Sequence, residues 1–437
     1  MMPRMWEKVK KLLRWLKPGL GVKRWLGFVF AGTTLLAVGF AFFALDIYRN
    51  VPDTWWLPGL KWISLQALPR LMRVVIFGSL GLVLVIWGIV GLNRTILQPF
   101  RPPGQDVIDK LRIHRRRQDG QQIVVIGGGH GLAMLLRGLK EYTHKLTAVV
   151  TVADDGGSSG RLRESLGILP PGDLRNCLAA LSNDEALLTQ LFQYRFANGN
   201  EDLDGHSFGN LFISALAEIT GSMESAIVES GRVLSVHGRV LPSSLQDVRL
   251  SADIVPPYTH QEVRIVGESR IPKVGGQVRR VWLEPNDPPA FPKVIKAILS
   301  ADFIVVGPGS LFTSLLPNLL IPDITNAMKS STAFKVYVSN IATQQGETDG
   351  FSCEDHLRVL DDHTNGGIFD LVVHNNRFKG DLPKTIEWVK IKDQKAINYP
   401  VYQADLLDIN EPWHHDSGKL ASVLMALFLE RTGPLVK

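Results

Sequence analysis

Two glycine-rich junctions and a pair of carboxylates carry the chemistry this sequence can offer. Gly127, Gly128, Gly129, His130 and Gly131 directly follow the β-branched run Ile123–Ile126. After them Leu132, Leu135, Leu136 and Leu139 recur at helical spacing. A strand that turns sharply into a helix leaves unpaired backbone N–H groups at the helix start, which suits a phosphate. Asp154 and Asp155 close a second apolar stretch, Lys145–Ala153, and open a loop holding Ser158, Ser159 and Arg161. A third junction, Gly307, Pro308, Gly309 and Ser310, follows Asp302–Val306, with Thr313 and Ser314 one turn further on. A phosphate cradle beside an acidic corner at neighbouring strand ends makes a nucleotide-type pocket.

The pattern argues against two common alternatives. The sixth position from Gly127 is Leu132, so the third glycine of a dinucleotide fingerprint is missing, which disfavours an NAD oxidoreductase. No Gly-Lys-Ser/Thr follows, so this is not a Walker loop. Asp154 lies 25 positions after Gly129 (154 − 129), about where a ribose-binding acid would sit. The competing account is a turn that only lets helix and strand pack closely. Asp154 and Asp155 are adjacent, so on an extended strand end they point to opposite sides and only one readily faces the crevice.

Further polar residues gather near predicted helix starts. Asp173 is placed to N-cap a helix running to Leu181. Arg175 and Asn176 then either face a ligand from the first turn or sit on an ordinary capped helix. His206 and Asn210 open an apolar helix through Ile219 and can hold an anion or cap it. No acid is placed to make His206 and Ser207 a convincing nucleophile pair, which argues against a serine triad. Asn340 and Thr343 follow the strand Lys335–Ser339, and Asn375 and Asn376 follow Phe369–His374. Strand ends that repeatedly carry Gly, Asn, Ser and Thr predict one crevice at the carboxyl edge of a mostly parallel sheet.

The elements that must position these groups alternate strand and helix across residues 121–437. Asp184–Tyr194 reads as a further helix. Arg232–Val240, Val248–Val255, Glu262–Ser269 and Gln277–Leu283 read as an antiparallel insertion, with Gly275 and Gly276 as a turn. Pro383–Tyr402 reads as short strands and turns, and Asp416–Arg431 as a closing amphipathic helix. Cys177 and Cys353 are the only cysteines among 437 residues, too few for a disulfide framework or a zinc site.

Ahead of this domain, Trp25–Leu45 and Val74–Leu92 hold no charged side chain over 21 and 19 residues. At 1.5 Å per helical residue each spans roughly 30 Å, enough for a bilayer core. Basic residues precede the first run and follow the second, so the expectation is a two-span anchor over residues 1–98 with both termini and the large domain cytoplasmic. Met5–Leu16 reads as an amphipathic surface helix. Residues 99–120, opened by Pro99, Pro102, Pro103 and Gly104, form a linker. The net charge of +6 gathers beside the apolar runs, which argues for a membrane surface and against nucleic acid.

Six motifs in order resemble the bacterial gluconeogenesis-factor family. They are Gly-Gly-Gly-His-Gly-Leu (127–132), Asp-Asp-Gly-Gly-Ser-Ser-Gly-Arg-Leu-Arg (154–163), Pro-Pro-Gly-Asp-Leu-Arg-Asn (170–176), Gly-His-Ser-Phe-Gly-Asn (205–210), Gly-Pro-Gly-Ser-Leu-Phe-Thr-Ser (307–314) and Thr-Gln-Gln-Gly-Glu-Thr (343–348). The family binds UDP-N-acetylglucosamine and belongs to the superfamily of 2-phospho-L-lactate transferase. The resemblance covers roughly residues 122–431 and implies a Rossmann-like three-layer α/β/α fold. It also implies a regulator that links gluconeogenic growth to cell-wall synthesis and cell shape, with cell-wall synthesis proteins as partners and a homo-oligomer as an option. No cofactor is required on that reading. The transferase relatives move a phospho-acyl unit from a nucleoside diphosphate using Mg²⁺, which makes Mg²⁺ the ion to test. The resemblance carries Gly127–Gly131 over as the phosphate loop, Asp154 and Asp155 as the acidic corner and Gly307–Ser310 as the second loop. His206, Asn210, Asn340 and Thr343 are carried as lining residues. Two departures stand out: the family is usually soluble, and His130 occupies a position where members carry Thr.

Overall fold

The computed structural model describes residues 120–182, 187–196, 203–257, 259 and 261–432, with isolated positions between 30 and 79. Trp25–Leu45 and Val74–Leu92 lie outside the described residues apart from those positions, as does Met5–Leu16. Among the described residues no helix is long and apolar enough to cross a membrane, so the expected anchor finds no support in the fold. The chain divides into compact units between Arg116 and Arg117, within the stretch read as a linker.

The larger unit is built on a seven-stranded sheet. Its strands are β1 (Ile123–Gly127), β2 (Leu146–Val150), β3 (Arg239–Pro242), β7 (Phe303–Val306), β8 (Phe334–Val338), β9 (Leu371–Asn375) and β10 (Val401–Ala404), in the order β10-β9-β8-β7-β1-β2-β3. Every neighbouring pair is parallel. The central strands β1, β2 and β7 are buried at every residue, with Thr147 the one polar side chain among them, as near-continuous apolar runs require when both faces are covered. Helices complete a three-layer α/β arrangement. The helix Gly129–Leu139 turns Leu132, Leu135, Leu136 and Leu139 into the core. It also crosses the closing helix Ser417–Thr432 so tightly that a Cβ on Gly138 would lie 2.1 Å from the Ser417 carbonyl oxygen.

Three strands, β4 (Arg249–Val255), β5 (Val263–Val266) and β6 (Gln277–Glu284), form a separate antiparallel sheet in the order β5-β4-β6. The expected four-part insertion is therefore smaller. Residues Met223–Val233 are helical, with the Ser222 hydroxyl accepting the Ser225 N–H, and Ala226, Ile227 and Ser230 buried at helical spacing. Arg239–Pro242 joins the parallel sheet beside β2 instead of the insertion. Burial of one helical face outweighs the β-propensity of Val233 here. In the helix Pro171–Leu181 the N-cap is Pro170, and Asp173 sits in the first turn rather than capping it. The helix expected from Asp184 is described over Leu187–Gln193; residues 183–186 lie outside the described set.

Both central junctions open at the carboxyl ends of β1 and β7. From β1 the chain continues to β2 on one side, while β7 lies on the other. That is the topological switch point of an open parallel sheet.

Candidate functional site

The β1 loop is shaped by contacts that leave no room for side chains. Gly128 is extended (φ −167°, ψ 178°), and a Cβ there would meet Thr151 and the Asp173 carboxylate at 2.7 Å. Gly129 has φ +63°, the left-handed region that favours glycine, and its N–H donates to Asp173 Oδ2 at 2.8 Å. A Cβ on Gly131 would lie 2.4 Å from the Pro308 carbonyl oxygen. The β1 and β7 loops thus pack backbone against backbone, and the amide of Asn318 bonds the Gly127 carbonyl at 3.0 Å to keep them together. Gly131→Ala is expected to lower stability by about 1–3 kcal/mol, since the clash is with main chain. A thermal melt checks this, and an unchanged melting temperature would mean the loops part readily.

The cleft above these loops has a volume of about 750 Å³, within the range of small-molecule sites. Of the residues expected from sequence, it brings together Gly128, Gly129, His130, Gly131, Asp154, Asp173, Asn176, Gly309, Ser310, Asn340 and Thr343. Gly127 ends β1 and Gly307 follows β7, and neither lines it; Gly307, at φ +82°, makes the turn.

The two adjacent carboxylates do separate. Asp154 lines the cleft and accepts the Gly156 N–H at 2.8 Å, while Arg163 Nη1 holds its carbonyl at 3.3 Å. Asp155 turns away and accepts the Ser269 N–H at 2.8 Å. That bond fastens the turn Glu268–Arg270, which leads out of the antiparallel sheet, and so delivers Glu268 into the cleft. Asp154, Asp173 and Glu268 therefore converge on one end. Burial raises the Asp154 carboxyl above its ordinary range. Burial and then Asp154 push Asp173 up to about 6. Burial, followed by repulsion from Asp154 and Glu347, pushes Glu268 up to about 8.

Positive groups gather beside the helix that follows β1. His130 is held below its ordinary pKa by burial first, then by His414, Arg175, Arg137 and Arg195. Arg175 does not line the cleft. It is buried, its guanidinium bonds Asn176 Oδ1 at 2.9 Å and Ser207 Oγ, and burial lowers it to about 10. Ser158, His206 and Asn210 form a second buried cluster away from the cleft. Ser158 Oγ lies 3.0 Å from His206 Nδ1 and accepts the Asn210 amide at 3.0 Å, tying the helix Gly157–Leu166 to Phe208–Thr220. Ser159 is buried against Gly172, and Arg161 reaches the Asp204 carbonyl. These motif residues build the walls behind Asp154 and Asp173 rather than the cleft surface.

Several lining residues escape the sequence reading: Arg137, Gln193, Glu268, Asp408, Trp413 and His414. Helical spacing from the β1 loop could have flagged Arg137. The ring-rich run Trp413, His414, His415 was a usable signal for the last loop. Nothing local announces Glu268.

A family model described as 2-phospho-L-lactate transferase CofD matches residues 123–418. The gluconeogenesis factor of Bacillus subtilis is 43% identical over 322 residues, which cover 71% of this chain and 98% of the relative. A Clostridium acetobutylicum relative is 37% identical over 445 residues, covering 96% of this chain and 93% of its own. Alignment with that relative therefore extends into the N-terminal region. A crystal structure of a Bacillus halodurans protein superposes with a TM-score of 0.66 at 43% identity, covering 70% of this chain and all of that one. With the family model, the relatives and the fold in agreement, the chain belongs to the gluconeogenesis factor family and carries a CofD-like domain.

Proposed function

We propose that the cleft binds a nucleoside diphosphate sugar of the UDP-N-acetylglucosamine type. On this reading its occupancy lets the protein couple gluconeogenic growth to cell-wall synthesis and cell shape through protein partners. The observation that carries this reading is the meeting of two glycine loops, at the ends of β1 and β7, beneath a cleft with Asp154, Asp173 and Glu268 gathered at one end. Backbone N–H groups and the positive field around His130 and Arg137 suit a diphosphate. The carboxylates suit hydroxyl donors. The family name of the relatives agrees with a role in gluconeogenic growth.

A second reading, a transferase acting on a nucleoside diphosphate, draws on the CofD match and on the convergence of Asp154, Asp173 and Glu268. Mg²⁺ fits that corner. Asp154 and Asp173 are the residues that would hold it, and burial, which raises both carboxyls by disfavouring their bare charge, sets a cost that a cation would offset. Among the described residues no set of three or more His, Cys, Asp or Glu could hold a metal ion, so phosphates and water would complete its shell. Such an ion would neutralise a diphosphate leaving group.

Calorimetric titration of the full chain with UDP-N-acetylglucosamine, in EDTA and in Mg²⁺, separates the readings. The sensor reading expects binding in both; affinity that collapses in EDTA favours the transferase. Gly129→Val is expected to remove binding in either buffer, because a branched side chain is strained at φ +63° and stands where the phosphate approaches. Unchanged affinity would return this loop to a packing role. The apolar runs Trp25–Leu45 and Val74–Leu92 retain the anchor reading on hydropathy alone. Cysteine labelling near Arg101 and near Asp53 in intact cells tests it, with access from outside expected only at the latter.

A further inference from the structure

Resting on the nucleotide-sugar reading, we infer that the ligand lies across the cleft with its nucleobase on Trp413 and His414 and its sugar in the corner of Asp154, Asp173 and Glu268. This reverses the direction expected if the carboxylate after β2 held the ribose, with the base beyond it.

The two ends of the cleft differ in chemistry. Asp154 follows β2, and the Asp173 carboxylate is fixed beside it on the Gly129 N–H. The opposite wall is the loop Asp408–His415, moored to the end of β8 by His415 Nε2 at 3.2 Å from the Ser339 carbonyl oxygen. From β2 to β8 is three strand spacings, about 14 Å. The β1 and β7 loops lie between, so a diphosphate placed on them leaves one ring group on each side.

A nucleobase needs a flat π surface, which contributes strongly and tolerates different bases. Trp413 supplies such a face, and the His414 ring, 5.8 Å away and inclined by 58°, borders it. The acidic end has no ring among its lining carboxylates. The Asp154 and Asp173 oxygens there would also face base carbonyl oxygens, whereas sugar hydroxyls and an acetamido N–H donate to them; at the other end the Asp408 and Glu411 carboxylates are taken up by the Asn410 N–H and by His414. The platform is built before any ligand arrives. Asp408 Oδ1 accepts the N–H groups of Asn410 at 2.7 Å and Glu411 at 3.2 Å, and the Asp408 N–H donates to the His414 carbonyl at 3.0 Å. Glu411 Oε2 lies 2.7 Å from His414 Nδ1, which orients that ring. His414 is also close enough to His130 to depress its pKa, so the platform adjoins the phosphate loop. Ribose then falls between platform and loop, and Asp154 is left for the sugar.

Calorimetry of the full chain with UDP and with UDP-N-acetylglucosamine tests the direction. Trp413→Ala is expected to weaken both ligands by the same factor, about tenfold or more, and Trp413→Phe to restore most of the loss. Glu268→Ala is expected to lower the ratio of UDP-N-acetylglucosamine to UDP affinity by about tenfold. Trp413→Ala weakening only the sugar-bearing ligand, or neither, overturns the assignment. So does Glu268→Ala weakening UDP as much as the UDP-sugar. Wild-type protein that binds neither ligand removes the nucleotide-sugar reading itself, and this inference with it. That outcome is read from wild type alone and so is not confused with the others.

Discussion

Asp173→Ala is expected to cut affinity for UDP-N-acetylglucosamine by at least about 100-fold, while Asp173→Asn stays within about tenfold of wild type. Asp173 is half-buried in the cleft wall and its Oδ2 receives the Gly129 N–H. That bond holds Gly129 at positive φ, and the same carboxylate packs against Gly128. Alanine leaves a half-buried N–H without its acceptor, a cost of up to about 1–3 kcal/mol that the loop escapes by rearranging. A displaced loop no longer presents its N–H groups to a phosphate, and small displacements are costly in preorganised sites. Asparagine keeps an acceptor oxygen at the same place, so the loop survives without the charge. Calorimetry on both variants, with circular dichroism to confirm folding, checks the ordering. Alanine binding as tightly as wild type would mean the loop holds its shape unaided.

That pairing was only half legible in the chain. Residue type and helix start singled out Asp173, but as a cap; a bond to Gly129, 44 positions away, has no local signature. Strands β1 and β7 were readable because each is a short apolar run rich in Val and Ile that meets a glycine at its end, and burial on both faces demands such runs. Alternation along an extended chain correctly separated Asp154 from Asp155. What alternation does not supply is the outward partner: Asp155 holds Ser269, 114 positions on, and only that tether carries Glu268 into the cleft. The buried set Ser158, His206 and Asn210 shows the opposite limit. Polar residues at helix starts look alike whether they face a ligand or each other, and here they bond one another behind the site. Trp413 reaches the cleft because the chain after β10 folds back toward β8, a reversal set by His415 and Ser339 rather than by periodicity.

Glu268 supplies the other large effect, in the pH dependence of stability. Its carboxyl titrates at about 8 in the folded protein against an ordinary value of 4.5, chiefly through burial and then through Asp154. Between those values the folded state holds a proton that the unfolded state has lost. The unfolded state then binds fewer protons, so stability falls as pH rises through this window and levels off above it. Asp173, raised to about 6, adds a smaller slope of the same sign at the acid end. The side chain keeps partial contact with solvent, which discounts the effect to on the order of 1–3 kcal/mol between pH 5.5 and 8.5. Glu268→Gln keeps the size and hydrogen-bonding ends of the protonated acid but cannot ionise. The variant is therefore expected to match wild type near pH 5.5 and to melt several degrees higher near pH 8.5. Thermal melts of both proteins across that range decide it. Parallel curves would mean that Glu268 is already ionised at neutral pH, leaving three anionic carboxylates at one end of the cleft. A corner of that kind favours a cation over a sugar hydroxyl, and would shift the balance toward the transferase reading.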